Sequence, residues 1–320
     1  MAVPIWKDYI AEVNGVYRIV VSATGDVIYT GYSVPKPGDS YGKVRINDIC
    51  ADYIVNTLPT LTDRSFTALS APTFKLQMRV SAAGGYQWVD LYTIQFYNNW
   101  SYDYGQTSKV LSAPINGHVD LRMPILFTAL DLTQLQAVYR VPGGSYNRII
   151  TLPTTPASGT GTFKANAVST FTKSITINNT LRYDVVGACY KFALYYVNAY
   201  GGWDQFLLEG NDLESDELTR YIREVEYDNN LLINRGKDNY VNEVTKTWSL
   251  HSGVLTGDQG SRMHHLLNSP LVYLMDIPTG DMIPVIIKDN TCEYKTIKNQ
   301  GGRMVEYTIL VELAQNRIRR

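Results

Sequence analysis

The residues of this 320-residue chain that could do chemistry are few: four histidines, three cysteines, one acidic stretch and one aromatic cluster. His264 and His265 are adjacent in a segment with helical spacing. Neighbours on a helix point about 100° apart, so the two cannot chelate one ion from one face. His118 follows Asn116-Gly117 and reads as a turn residue, and His251 stands alone. Cys50, Cys189 and Cys292 are odd in number and far apart, with no CxxC pair, which reads as free thiols in a reducing compartment. Cys50 falls on an apolar helical face and Cys189 in an apolar run, so both read as core residues. Asn211, Asp212, Glu214, Asp216 and Glu217 offer oxygen ligands of the kind calcium takes, but no mid-loop glycine gives them EF-hand spacing, and they read as a solvated acidic loop. Trp203-Asp204 follows Gly201-Gly202, with Tyr195, Tyr196 and Tyr200 close by. That set could make an aromatic platform for a sugar, with the carboxylate taking hydroxyl hydrogen bonds. The alternatives are the edge of a sandwich core or a contact between domains.

The familiar catalytic patterns are missing. No GxxxxGK[ST] cradle and no GxSxG elbow occur, and Gly159-Thr160-Gly161 lacks the third glycine of a dinucleotide loop. No residue is therefore nominated as catalytic, cofactor-binding or metal-ligating, and the chain reads as a non-enzyme without a cofactor. Net charge is −1, and Arg317, Arg319 and Arg320 form the one cationic cluster, which reads as a solvated tail, with an inter-subunit or acidic-partner contact as the alternative. Counterion-displacing nucleic-acid binding needs more cations than that, so a nucleic-acid partner is not expected. Met1–Ile10 carries Lys7 and Asp8 and has no signal-like apolar run, and nowhere do about 18 apolar residues follow one another, so no membrane span is expected. Asn99-Trp100-Ser101 and Asn178-Asn179-Thr180 read as chance glycosylation triplets in a chain that is not secreted.

The elements that position these residues are mostly strands. Charged residues are only 18%, and 24 tyrosines stand against 8 phenylalanines, a balance suited to strands and to wet subunit contacts. Val16–Ser22 and Val27–Tyr32 flank the turn Thr24-Gly25-Asp26, and Phe74, Leu76, Met78 and Val80 alternate before Gly84-Gly85 turns the chain into Tyr86–Tyr97. Asn47 reads as the cap of a helix, Asp48–Thr57, stopped by Pro59, with Ile49 and Tyr53 facing the Phe74–Val80 strand. Strands follow near Asp120–Leu130, Gln134–Val141, Tyr146–Leu152 and Phe171–Ile177, with Pro153–Gly161 a polar loop. In the last third, Thr219–Tyr227 and Tyr240–Leu250 read as strands joined by a long polar turn. Thr256-Gly257-Asp258-Gln259 fits a capping box for a helix Gly257–Asn268 whose apolar face is Met263, Leu266 and Leu267. Pro278-Thr279-Gly280 turns Leu271–Met275 into Met282–Ile287. The final strand alternates Val305, Tyr307, Ile309, Val311 and Leu313 with polar residues.

Two resemblances rest on these residues. Tyr190–Asn198 closed by Gly201-Gly202 resembles the penultimate strand of fibronectin type III sandwiches. Trp248-Ser249-Leu250, Arg262–Pro270, Glu293-Tyr294-Lys295-Thr296, Ile46–Tyr53, Asn99–Asp103 and Pro114-Ile115-Asn116-Gly117 resemble tail proteins of Bacteroides-type phages and prophages. The order of strands, hairpin and helix after residue 211 is similar to the ring domain of tail-tube and distal-tail proteins. The expected fold is mainly β: multi-domain β-sandwiches with two short helices. A β-rich N-terminal domain spans 1–111, a fibronectin-III-like sandwich 112–210 and a tail-tube-like domain 211–320. The resemblance implies a structural virion component of a phage tail, at the distal tail or baseplate. It would be made in the host bacterial cytoplasm and ringed with identical subunits against other tail proteins. Tyr240–Leu250 and Arg303–Leu313 are the expected ring contacts. The alternative is a carbohydrate-binding adhesion protein that meets a host-surface glycan.

Overall fold

A computed structural model of the chain describes residues 3–5, 10–97, 110–112, 116–210, 212–224, 237–288, 297–299, 302–315 and 317–319. The chain is mainly β, with two short helices. Cys292, Arg320, Asn99–Asp103 and Glu293–Thr296 lie outside the described residues, as do most of Met1–Ile10 and the turn leading into Lys237.

The N-terminal part holds β1 (Val3–Pro4), β2 (Ile10–Val13), β3 (Gly15–Val21), β4 (Val27–Ser33), β5 (Gly42–Arg45), α1 (Asn47–Ala51), β6 (Ser65–Ala68), β7 (Thr73–Ala82) and β8 (Gly85–Tyr97). Five of these strands form a sheet in the order β1-β8-β7-β3-β4, and β2 pairs with β5 beside it. Ile19, Phe74, Leu76, Ile94 and Phe96 face inward onto Ile46 and Cys50. Helix α1 is shorter than its spacing suggests. Asn47 is not its cap but a buried helical residue whose Nδ2 donates to the Ile5 carbonyl at 3.2 Å. Beyond Ala51 the chain presents exposed Tyr53 and Val55, so further turns would have no core to bury against, and short helices need that burial. Ile49 does pack against the core; Tyr53 does not.

The middle part holds β9 (Gly117–Val119), β10 (Pro124–Leu132), β11 (Leu135–Val141), β12 (Gly144–Ile150), β13 (Ala157–Lys164), β14 (Ser174–Ile177) and β15 (Leu181–Val185). Sheets β10-β13-β6 and β12-β11-β14-β15-β9 enclose one core that includes Phe127, Tyr139, Phe163, Ile175 and Tyr183. Strand β6 thus crosses over from the N-terminal part. The expected loop Pro153–Gly161 is wrong in its second half, because Ala157–Gly161 is the buried start of β13, the centre of its sheet. Glycine is used there because neighbours come close. A Cβ on Gly159 would strike the Thr67 carbonyl, and one on Gly161 would strike the Leu135 side chain.

The C-terminal part holds β16 (Phe192–Val197), β17 (Trp203–Leu207), β18 (Leu213–Glu224), β19 (Lys237–Thr256), α2 (Gly257–Leu267), β20 (Val272–Asp276), β21 (Asp281–Ile287), β22 (Ile297–Asn299), β23 (Gly302–Leu313) and β24 (Arg317–Arg319). The main path of this sheet runs β17-β16-β20-β21-β23-β19-β18, with β22 on β23 and β24 on β19. The boundary expected at 210 therefore cuts through one sheet, since β16 pairs with β20. Strand β16 is buried on both faces. Phe192, Leu194 and Tyr196 meet the core that holds Met263 and Leu266 of α2, while Ala193, Tyr195 and Val197 meet Met123 and Leu126 of the middle part. That explains its unbroken apolar run, which a half-exposed strand would not show. The capping box of α2 forms as read: Thr256 Oγ1 accepts from the Gln259 amide at 3.3 Å, and Gln259 Oε1 accepts from the Thr256 amide at 3.0 Å.

Candidate functional site: an exposed edge strand

The residues nominated from sequence are dispersed. Trp203 is 4% exposed and Asp204 fully buried, and Tyr195 and Tyr196 are fully buried too. A sugar cannot stack on rings that are already core. The reason is the double coverage of β16 and β17. Asp204 Oδ2 accepts from Asn198 Nδ2 at 2.7 Å, so the carboxylate belongs to a buried polar hub. Asn198 Nδ2 also donates to the Leu111 carbonyl at 2.7 Å, and its Oδ1 accepts from the Tyr200 and Gly202 amides at 2.9 and 3.1 Å. This hub, which the sequence reading missed, was visible only as an asparagine before a double glycine.

The acidic loop is largely a strand. Asn211 lies outside the described residues, Asp212 accepts from the His251 amide at 3.3 Å, and Leu213 already belongs to β18. Successive strand residues point to opposite faces, which separates Glu214 and Asp216 from Glu217. Glu214 is engaged by Lys246 and, at 3.6 Å, by Lys191; the Lys246 hydrogen bond, first, holds its carboxyl below the usual range.

Among the histidines, His118 is not in a turn but on β9, where its Nδ1 lies 2.7 Å from Glu209 Oε1. That hydrogen bond raises its pKa. His265 packs its ring 5.1 Å from the Tyr200 ring, and burial lowers its pKa. Cys50 is fully buried, which pushes its thiol up to about 12, whereas Cys189 is exposed, contrary to the core reading, because it lies in the link between β15 and β16.

What the fold leaves open is β18, the edge strand beside the outer half of β19. All twelve residues of β18 are exposed, with Leu213 at 66%, Leu218 at 54% and Ile222 at 62%. It pairs antiparallel with β19 from Leu213↔Ser249 to Glu224↔Lys237, with a register shift after Tyr221. On β19 the buried core begins only at Thr247 and Trp248. At ~3.3 Å per residue the preceding stretch, 237–246, is a ribbon about 30 Å long. Ser215 and Thr247 share a 2.7 Å hydrogen bond at its root, and the Tyr221 hydroxyl donates to Glu243 at 3.2 Å farther out. On its other side β19 pairs with β24, Asn242↔Arg319 to Val244↔Arg317, so Arg317–Arg319 is a strand and not the solvated tail expected, and β18 is the open edge of this extension. Strand β23 is interior, paired to β19 and β21, and β19 has β18 on one side and β23 and β24 on the other, so both expected edges, Tyr240–Leu250 and Arg303–Leu313, are already paired.

No family model, curated protein or solved structure matches the chain.

Proposed function

We propose that the chain is a structural subunit of a phage tail, at the distal tail or baseplate, and that the β18–β19 arm joins identical subunits into a closed ring. The sequence resemblance supplies the tail. The observation that carries the assembly is β18, a twelve-residue edge strand exposed throughout and bearing Leu213, Leu218 and Ile222. Head-to-tail contacts close into rings when the rotation allows, and other tail proteins would stack on the faces of that ring. The burial of Trp203, Tyr195 and Tyr196 removes the platform on which the adhesion reading stood.

The test is solution mass together with electron imaging of the purified chain. Rings are expected, with an interface above roughly 1,000 Å², the floor for a specific contact. Leu218→Glu with Ile222→Glu is expected to leave monomers whose folding stability is within about 0.5 kcal/mol of the parent, as for other exposed positions. A parent chain that stays monomeric at high concentration, with no rings on grids, overturns the reading.

A further inference from the structure

The outer face of the N-terminal sheet gathers arginines and aromatic rings. Paired residues share a face, and successive residues alternate between faces. The pairs Val16↔Tyr32, Arg18↔Gln77, Gln77↔Asp90, Arg79↔Trp88 and Ser81↔Tyr86 therefore stand on the side away from the core residues Ile19, Phe74 and Leu76. Tyr32 is 70% exposed and Tyr86 72%. The Arg18 guanidinium Cζ lies 4.3 Å from the Trp88 ring centre, and the Arg79 Cζ lies 4.6 Å from that of Tyr86. Trp88 and Tyr86 are two residues apart on one strand, about 7 Å, so the guanidinium groups stacked on them are neighbours. Arg18 Nε donates to Gln77 Oε1 at 2.7 Å, which fixes that side chain, while its Nη atoms and every donor of Arg79 have no acceptor among the described residues. Strands β3, β4, β7 and β8 carry three cations, Arg18, Lys75 and Arg79, against one carboxylate, Asp90. Asp90 is taken by Lys75 at 2.8 Å and by Gln77, and it acts on Arg18 only at longer range.

We propose that this face binds an acidic polysaccharide, a chain of uronic acid residues, with Arg18 and Arg79 taking its carboxylates. A planar guanidinium pairs bidentately with a carboxylate, and stacking on a ring has already restricted the side chain, so less freedom is lost on binding. Tyr32 stands three strand spacings from Tyr86, roughly 14 Å, and the two exposed rings offer apolar faces to the C–H side of a sugar. Thr30, paired with Arg18, offers a hydroxyl to hydrogen-bond the sugar's own. A nucleic acid would need a longer run of cations to release its counterions, which these four strands lack. The face belongs to a different sheet from β18 and does not rest on the ring.

The experiment is calorimetric titration of the full chain with an alginate oligosaccharide at low ionic strength, beside a neutral dextran oligosaccharide and single-stranded DNA of similar length. Alginate is expected to bind, more weakly as salt rises, and dextran is expected not to bind. Arg79→Ala should weaken alginate binding by roughly tenfold, the scale of one charge-assisted hydrogen bond. Arg79→Lys keeps the charge but loses the fork and should weaken it too. Replacing Arg18 and Arg79 together with alanine should abolish binding, with circular dichroism checking the fold. If the Arg18 change disturbs the sheet, Arg79→Ala carries the test, since Arg79 is exposed and makes no hydrogen bond among the described residues. No binding of alginate, equal affinity for DNA, or an affinity unchanged by Arg79→Ala overturns the proposal.

Discussion

Asn198 offers the sharpest test of how the C-terminal sheet is held to the middle sandwich. Its side chain makes four hydrogen bonds while being 2% exposed: two from Nδ2, to Leu111 and Asp204, and two to Oδ1, from Tyr200 and Gly202. Asn198→Ala takes one partner from each of those groups. An orphaned buried polar group costs about 1–3 kcal/mol, and more where a carboxylate is concerned. The simple sum is an upper bound, because water entering the vacated space and shared relaxation make neighbouring losses non-additive. About 3–5 kcal/mol is the expected net loss, a large share of the ~5–15 kcal/mol that holds a typical domain together. Asn198→Asp keeps the shape but turns the 2.7 Å donor contact with Asp204 into oxygen against oxygen. Two carboxylates so close repel each other in a buried site, so Asn198→Asp should destabilise the fold at least as much as Asn198→Ala. Guanidinium unfolding followed by tryptophan fluorescence reads both effects, with Trp203 on the adjoining strand. A loss below about 1 kcal/mol for Asn198→Ala would mean that the hub is wet and contributes little to holding the sheets together.

Two further expectations can be read in solution. His118 has its pKa raised by Glu209, so the stability it contributes is full below the ordinary ~6.5 and is lost as pH climbs through the raised value; His265, lowered by burial, contributes above ~6.5 and fails as pH drops through its lowered value. NMR titration should separate the two imidazoles, with Glu209→Gln returning His118 downward, and coincident midpoints would refute the assignment. For the thiols, iodoacetamide with peptide mapping should modify exposed Cys189 in the native state and leave Cys50 untouched until unfolding, because only a thiolate reacts and burial holds that thiol protonated. Rapid native alkylation at Cys50 would contradict its packing.

The local parts of the fold were legible in the sequence. The Thr256–Gln259 capping box, the Pro278-Thr279-Gly280 hairpin and the alternation of Tyr307, Ile309 and Val311 are each set within a few residues by backbone chemistry or by one buried face. What failed was long-range. Gly159 and Gly161 read as loop residues until Thr67 and Leu135 are seen pressing on them. Strand β16 was placed with the wrong sheet because its apolar run reports burial on both faces and says nothing of which strands lie beside it. The same double burial took Trp203 and Asp204 out of reach of any ligand.

The arm carries two tendencies that together restrict what can bind it. Open strand edges recruit other strands indiscriminately, and proteins commonly guard them with charge. Strand β18 carries Glu214, Asp216 and Glu217 near its root and Arg220, Arg223 and Glu224 toward its far end, so a passing strand meets charge along its whole length. Yet Leu213, Leu218 and Ile222 stand in water among those charges, and a ribbon needed only as a connector would gain nothing from them. Charge that repels most partners, combined with apolar anchors that favour one, is how an interface obtains specificity without becoming an aggregation site. In the ring proposed above every arm would be covered by its neighbour, whereas an adhesin working alone would leave every arm bare.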